Sequence, residues 1–300
     1  MDDGLVRFGI LGCAYIARKM SRAIMQAQGV CLYAIGSRSL EKAQAFAKDN
    51  GFPSDTKVYG SYQSVLDDEA VDAVYIPLPT SLHVDWVLKA SAKKKHVLLE
   101  KPPALSTEDL DKIISACELE GVQLMDCTMW THHPRTVKMK EVLKSHDLLG
   151  DILEVHASFF VPMKAYDPNF FTENIRINPE LDALGALGDL GWYCARAILW
   201  AYDYNLPASI VVLPGAQLTE GGVITRYIGS ARFCDSIQGE ICIFQGSKVA
   251  QEAWIHCGRL FQERHSRILL EGEAVKSTWS SPWMVSSDSL NMLIMRQPEV

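Results

Sequence analysis

Short apolar runs alternate with amphipathic segments over the first 130 residues, and this alternation restricts the possible folds more than any other feature. The predicted strands are residues 6–11, 30–35, 71–76, 97–100 and 123–126, and the predicted helices are residues 16–28, 40–50, 62–67, 83–94 and 108–120. Strands joined through helices pair in parallel, because each helix returns the chain to the same end of the sheet. The sequence therefore predicts an α/β fold, a doubly wound parallel sheet with helices on both faces.

The pattern changes after Gly150. Beyond a linking helix at 134–144, the predictions are strands at 152–161, 210–213 and 223–233, an irregular stretch at 162–179 and a helix at 181–202. This mixture indicates a second domain of α+β type. We expect a first domain at 1–130 and a second at 131–300, atypical after about residue 228, where the alternation becomes poor.

The composition of the chain argues against several classes of function. The chain has 300 residues, of which 48% are hydrophobic and 22% charged, enough for a sizeable core. A net charge of −7 and the lack of a basic stripe argue against a nucleic-acid partner. None of the eight cysteines forms a CxxC pair, so no metal site is predicted. The acidic start and the absence of a long apolar run predict no signal peptide, no membrane span and a cytoplasmic location.

The first predicted strand leads, within residues 9–17, into a relaxed G-x-G-x-x-G pattern in which Gly12 is the first glycine and Ala14 and Ala17 replace the other two. Gly12 would make the tight turn, and Ala14 lies where the backbone must approach a pyrophosphate. The next helix would offer its free N–H groups to the phosphates. The pattern favours nucleotide binding, and a tight packing turn is the alternative.

Ser37 and Arg38 follow the second predicted strand, where an NAD site usually carries an acidic residue. A hydroxyl and a guanidinium instead suit a 2′-phosphate, which predicts NADP over NAD. The alternative for Arg38 is an ordinary surface position. Ser39 is predicted to cap the helix that follows.

Residues 77–83 form a proline-bearing loop after the strand at 71–76. We expect it to pass beside the nicotinamide ribose, with Thr80 or Ser81 capping the next helix. His83 is either a structural residue or close to the cofactor.

The triplet Glu100-Lys101-Pro102 leaves the carboxyl end of another predicted strand. In open α/β sheets this edge borders the ligand crevice. Transfer of a hydride from an alcohol needs a group that accepts the hydroxyl proton and a cation or donor for the developing oxyanion. Lys101 suits the second role.

Asp189 and Tyr193 are four residues apart on a predicted helix, so that both face one side. Tyr193 is the candidate for the hydroxyl proton. The alternatives are a buried, hydrogen-bonded tyrosine and, for Asp189, a charge that favours the helix N-terminus.

These motifs, at 9–17, 77–83, 100–102 and 185–193, resemble those of the Gfo/Idh/MocA family of NAD(P)-dependent oxidoreductases. The resemblance covers about residues 5–225. It implies a Rossmann domain followed by an open, mainly antiparallel sheet that commonly forms a dimer interface. It also implies catalytic roles for Lys101 and Asp189. Tyr193, where many members have His, resembles the NADP-dependent branch of dihydrodiol and D-xylose dehydrogenases.

The sequence thus predicts an NADP-dependent dehydrogenase, with NAD possible, acting on a sugar or cyclic diol, and a homodimer if the second sheet is complete. The residues assigned to the cofactor are Gly12, Cys13, Ala14, Tyr15, Ile16, Ser37, Arg38, Leu78, Pro79, Thr80, His83, Glu100 and Lys101. Trp130 and Arg176 are candidates for substrate contact, against ordinary packing and a surface ion pair. The alternative functions are a non-catalytic NADP-binding protein and a truncated or aberrantly spliced, inactive product.

Overall fold

The computed structural model describes residues 4–145, 152, 154–161, 163, 167–234, 237–245 and 290–294. The chain divides into two compact units, Met1–Thr128 and Met129–Val300. Each unit contains its own buried apolar cores. No helix of the described part of the chain is long and apolar enough to span a bilayer.

The first unit contains six parallel strands in the order β3-β2-β1-β4-β5-β6. The strands are β1 (Val6–Leu11), β2 (Val30–Gly36), β3 (Lys57–Tyr59), β4 (Ala73–Ile76), β5 (His96–Leu99) and β6 (Leu124–Asp126). This confirms the predicted Rossmann sheet. The strand order reverses between β1 and β4, and ligands of such sheets bind outside the carboxyl ends of the strands at this point.

Helices separate the strands of this sheet, as predicted. They are α1 (Ala17–Gln26), α2 (Leu40–Asp49), α3 (Tyr62–Asp67), α4 (His83–Ala92) and α5 (Thr107–Glu120). The Ser39 hydroxyl accepts a hydrogen bond from the Lys42 N–H and caps α2, which confirms that prediction. The capping prediction for Thr80 or Ser81 is wrong, because a 3-10 turn at Thr80–Leu82 runs directly into α4, which has no side-chain cap.

The core of the first unit lies on both faces of the sheet. All four residues of β4 are buried, which is the pattern of a central parallel strand. Val74 and Ile76 pack in one cluster with Leu99, while Tyr75 packs in another with Ile10. Burial of each such side chain stabilises the fold by about 1.5–3 kcal/mol, and it fixes the strand ends from which the candidate site residues extend.

The second unit is built on an open sheet in the order β12-β7-β11-β10-β8, with β9 also paired to β10. The strands are β7 (Glu154–Val161), β8 (Ser209–Val212), β9 (Gln217–Leu218), β10 (Ile224–Cys234), β11 (Ile237–Gln245) and β12 (Leu290–Ile294). Among the described strands of this sheet, only β7 and β11 pair in parallel, which confirms the mainly antiparallel sheet. In the described part of this unit, the α-helices are α6 (Pro134–Leu143), α7 (Phe170–Glu173) and α8 (Trp192–Ala201).

The prediction of an irregular stretch at 162–179 is wrong in part, since the stretch contains α7 and a 3-10 turn at Ile175–Ile177. The predicted strand at 223–233 is confirmed by β10. Although the apolar alternation weakens after residue 228, β10 continues to Cys234 and pairs with β11, because pairing within a sheet can override a weak local preference. The sequence shows no clear pattern at 256–265 and at 279–300. Residues 256–265 lie outside the described residues, and within 279–300 the structure describes β12 (Leu290–Ile294), which pairs with β7.

Candidate functional site

Gly12 forms the turn that ends β1. Its φ is +116°, a conformation that side chains disfavour, and its N–H donates to the Gly36 carbonyl at 2.8 Å. A Cβ atom placed on Gly12 would lie 3.1 Å from Leu78 Cδ2. The turn is therefore a close approach between the ends of β1 and β4, and it opens towards the N-terminus of α1. A glycine turn before a helix N-terminus is a favourable environment for phosphate.

The connection from Gly12 to α1 consists of Cys13, Ala14, Tyr15 and Ile16. The Cys13 thiol approaches the Lys42 carbonyl at 3.8 Å, and burial raises its pKa although a hydrogen bond with Ser37 acts in the opposite direction. Tyr15 is exposed, and the Arg18 guanidinium lies 5.1 Å from its ring centre. The connection therefore contacts the end of β2, where the 2′-phosphate was predicted to bind.

Ser37 and Arg38 lie directly after β2, with Ser37 buried and Arg38 exposed. Tyr62, which sequence reasoning missed, belongs to the same region. Its hydroxyl lies 3.7 Å from a Cβ placed on Gly12, and burial raises the pKa of Tyr62 while the nearby Arg38 charge lowers it. Nothing in the sequence indicated that Tyr62 lies near Gly12 and Arg38, because Tyr62 simply begins a short amphipathic helix.

The loop after β4 is fixed by His83. Its Nδ1 lies 3.1 Å from the Pro103 carbonyl and its Nε2 lies 2.9 Å from the Leu78 carbonyl, in a fully buried site. The ring thereby connects the loop after β4 with the segment after Lys101. This geometry favours the structural interpretation of His83. Leu78 and Thr80 are buried beside it, and the Pro79 carbonyl accepts a hydrogen bond from the Leu82 N–H.

Lys101 leaves the carboxyl end of β5, as the sequence predicts. The preceding Glu100 is buried, and its carboxylate accepts hydrogen bonds from the Tyr75 hydroxyl at 2.6 Å and from the Lys101 N–H at 3.2 Å. The Lys101–Pro102 peptide bond is cis. Glu100 therefore fixes the backbone of Lys101, a contact that its predicted role in cofactor binding did not anticipate.

Asp189 and Tyr193 lie in the second unit, at a change of helical geometry. Asp189 belongs to a π-helical turn, Leu187–Gly191, and Tyr193 lies in the first turn of α8. The predicted regular helix at 181–202 is therefore wrong at its start, since turns precede residue 185. Single π turns within helices often accompany functional sites. The Tyr193 ring packs edge-on against Phe159, with 5.9 Å between ring centres.

The two candidates for substrate contact take other contacts in this unit. Arg176 forms ion pairs with Asp182 at 2.6 Å and with Asp189 at 3.6 Å. Trp130 packs against Trp200 with ring centres 5.6 Å apart, at the edge of the apolar core. These contacts favour the ion-pair alternative for Arg176 and the packing alternative for Trp130.

The structure brings the predicted cofactor residues together at one edge of the first sheet, after β1, β2, β4 and β5. The other predicted residues, Asp189, Tyr193, Arg176 and Trp130, belong to the second unit. Among these four, the described contacts connect Arg176 with Asp189.

Known proteins are similar to this chain in both sequence and fold. Residues 6–126 match the Gfo/Idh/MocA family, which is described as an oxidoreductase family with an NAD-binding Rossmann fold. D-xylose 1-dehydrogenase (NADP(+)) 2 of Haloferax volcanii is 40% identical over 192 residues, which cover 63% of this chain and 55% of that protein. The dTDP-3,4-didehydro-2,6-dideoxy-alpha-D-glucose 3-reductase of Saccharopolyspora spinosa is 32% identical over 234 residues, covering 74% of this chain and 67% of the reductase.

A solved structure extends the likeness to the second unit. A 3-ketoreductase of Actinomadura kijaniata, in complex with NADP and TDP-benzene, superposes with a TM-score of 0.70 at 27% identity, over 82% of this chain and 71% of the reductase. The fold and the sequence therefore define a two-unit protein whose first unit has the NAD-binding Rossmann fold. The chain belongs to the Gfo/Idh/MocA oxidoreductase family. It spans just over half the length of the xylose dehydrogenase.

Proposed function

We propose that this protein is an NADP-dependent oxidoreductase that transfers a hydride between the nicotinamide and a hydroxyl-bearing carbon of a sugar or cyclic diol. One observation carries the proposal. The glycine turn, Ser37-Arg38, the loop at Leu78 and Lys101 all follow strands at one edge of the sheet, around the point where strand order reverses. The named activities of the similar proteins, a xylose dehydrogenase and sugar-nucleotide reductases, support the same class of substrate.

The residues at this edge fit a dinucleotide. Gly12 lacks the side chain that would fill the space beside Leu78, so the backbone is accessible to a pyrophosphate. Arg38 is exposed next to the buried Ser37, where a guanidinium can bind a 2′-phosphate. The first unit therefore favours NADP, and NAD remains the second choice.

Fluorescence titrations with NADPH and NADH test the cofactor assignment. We expect tighter binding of NADPH, and Arg38→Ala should remove most of this preference because only NADPH carries the 2′-phosphate. Arg22→Ala is the matched control, since it removes an exposed arginine from α1. Equal binding of both cofactors by the unaltered protein would contradict the assignment.

The catalytic roles follow from the chemistry of the side chains. When bound, NADP supplies the hydride acceptor. Tyr193 is proposed to exchange a proton with the substrate hydroxyl, and the Lys101 ammonium to stabilise the negative charge on that oxygen. Asp189 is proposed to orient the reacting groups. The backbone of Lys101 is fixed by Glu100, which limits the positions that the ammonium can reach.

Tyr193→Phe separates an enzyme from a non-catalytic NADP-binding protein. Loss of the hydroxyl should abolish turnover of sugars or diols while NADPH binding by the first unit is retained. Tyr227→Phe is the control, because it removes a partly buried hydroxyl from β10 in the same unit. NADPH binding without turnover in the unaltered protein, with any sugar or diol, would favour the non-catalytic alternative.

We further propose that the protein is a cytoplasmic homodimer that associates through the second sheet. The edge strand β8 supports association, because its apolar residues Ile210, Val211 and Val212 are exposed. Light scattering after size exclusion should give twice the mass of the chain, and Val211→Lys should shift it to the single-chain mass. A monomeric unaltered protein would contradict this proposal.

A further inference from the structure

We propose that Arg176 is a positioning residue that holds the Asp189 carboxylate, and that Asp182 is the buried anchor of Arg176. The inference rests on the proposed function, because it assigns Asp189 to the reaction. It replaces the direct substrate contact that the sequence suggested for Arg176.

Arg176 contacts both Asp182 and Asp189, and the two contacts differ in distance and in burial. Arg176 Nη1 lies 2.6 Å from Asp182 Oδ2, and Arg176 Nη2 lies 3.6 Å from Asp189 Oδ1. The Asp182 side chain is 0% exposed, against 16% for Asp189 and 24% for Arg176. The shortest contact therefore lies at the most buried end, and the carboxylate proposed for catalysis lies at the more accessible end.

This gradient has a physical reason. A fully buried carboxylate is strongly unfavourable without a charged partner, so Asp182 holds the guanidinium tightly. The planar guanidinium presents donors in more than one direction, and it can face two carboxylates at once. A lysine ammonium is a point charge and would follow Asp182 alone. Because Asp182 holds the guanidinium of Arg176 in place, Arg176 in turn restricts the position of the Asp189 carboxylate.

Local turns fix the backbones of Arg176 and Asp182. The Asn174 side-chain oxygen accepts a hydrogen bond from the Arg176 N–H at 3.0 Å, at the start of the 3-10 turn. The Asp182 N–H donates to the Asn178 carbonyl at 2.8 Å. The backbones of Arg176 and Asp182 thus belong to consecutive turns. These turns position the two side chains independently of Asp189.

Asp189 lies in a single π turn that follows the turns at 181–184 and precedes helix α8. A carboxylate on such a turn gains a defined orientation from an external charge, and Arg176 provides that charge. Because two carboxylates already engage the guanidinium, Arg176 is expected to affect the reaction through Asp189.

The test compares Arg176→Met, Arg176→Lys, Asp189→Asn and the double variant Arg176→Met with Asp189→Asn. With NADP and the sugar or diol that the unaltered protein oxidises, Arg176→Met should lower kcat by about tenfold, as expected when contacting residues are coupled. The KM for NADP should not change. Arg176→Lys should recover only part of kcat, because it retains the charge and loses the planar fork.

The decisive result is the double variant. If Arg176 acts through Asp189, adding Arg176→Met to Asp189→Asn should cause little further loss of kcat. An equal loss in both backgrounds would overturn the proposal and favour direct substrate contact, and so would an unchanged kcat for Arg176→Met. Lys138→Met, which removes an exposed ion pair with Glu141 on α6, is the control and should match the unaltered protein.

A second measurement does not require turnover. Urea unfolding midpoints of the single and double variants should be non-additive, because Asp189 and Arg176 interact directly. If the unaltered protein binds NADPH but turns over no sugar or diol, the proposed function fails while this cycle still tests the ion pair. Additive midpoints would overturn the positioning role whatever the activity.

Discussion

The Tyr75 hydroxyl donates a hydrogen bond of 2.6 Å to Glu100 Oε1 in the interior of the first unit. Tyr75 is fully buried and Glu100 nearly so, at the ends of neighbouring parallel strands. The other carboxylate oxygen of Glu100 accepts from the Lys101 N–H. The pair therefore connects the packing of the sheet to the backbone of the lysine proposed to act on substrate.

Tyr75→Phe should destabilise the protein. Removing the hydroxyl takes one charge-assisted hydrogen bond away from a buried carboxylate, which costs about 1.5–3 kcal/mol of unfolding free energy. Urea denaturation measures this change. Tyr33→Phe on β2 is the control, since that ring is only partly buried, and an equal effect of both substitutions would contradict the prediction.

Gly12→Ala should lower both stability and cofactor affinity. The φ of +116° disfavours a side chain by about 1–3 kcal/mol, and the added Cβ would press on Leu78 Cδ2 at 3.1 Å. We expect a reduced unfolding free energy and weaker NADPH binding by fluorescence titration.

Gly29→Ala is the matched control for Gly12. Gly29 also has a positive φ, +74°, but a Cβ there meets no atom within 4 Å. It should reproduce part of the stability loss and leave NADPH affinity unchanged. Loss of affinity in the Gly29 variant would show that binding depends on global stability and not on the turn.

The sequence predicted the first sheet well, because its strands are buried apolar runs and its helices have clear polar faces. The predicted bounds of β1 and α3 agree with the structure. Strand β3 was missed since Lys57–Tyr59 is too short to show a period. The second sheet was partly missed because β11 depends on pairing with β7 and β10, which are remote or only weakly patterned in sequence.

The candidate site shows the same division. Gly12, Arg38 and Lys101 were predicted as site residues because each follows a strand in a local motif. The contacts that the candidate residues make with other segments were not predicted. Tyr75 with Glu100 and Arg176 with Asp189 join residues from different segments, and no periodicity relates such partners. The tertiary structure shows these pairs, one within each unit.

Gly185→Ala should disrupt the second unit more strongly than an ordinary glycine substitution. Gly185 has a φ of +50°, and a Cβ there would lie 2.4 Å from the Ile224 carbonyl oxygen and 2.4 Å from Val223 Cγ1. Backbone cannot yield as a flexible side chain can, so the turn must move. We expect a loss of about 3 kcal/mol or more, together with reduced turnover because the turn precedes Asp189.

Gly222→Ala provides the comparison for Gly185. Its φ is +83°, and a Cβ would meet no atom within 4 Å. Only the backbone penalty should remain, so its urea midpoint should lie between those of the unaltered protein and the Gly185 variant. If both variants unfold at the same midpoint, the close contact with Ile224 is not the cause.

Tyr59 should make the protein sensitive to alkaline pH. Burial, together with a 2.7 Å hydrogen bond to Asp68, raises the pKa of Tyr59 from 10.0 to about 12. The folded state thus holds the phenolic proton more tightly than the unfolded chain. The resulting stability is fully present below pH 10 and is lost as pH rises from 10 to about 12.

Tyr59→Phe tests this assignment. Unfolding free energies measured from neutral pH to pH 12 should fall more steeply for the unaltered protein than for the variant, because the variant has no phenol to ionise at this position. Tyr204→Phe, at an exposed position, should retain the steep fall. Parallel pH curves for the unaltered protein and Tyr59→Phe would show that the Tyr59–Asp68 pair does not control alkaline stability, since a bond that shifts the pKa must also shift the folding equilibrium.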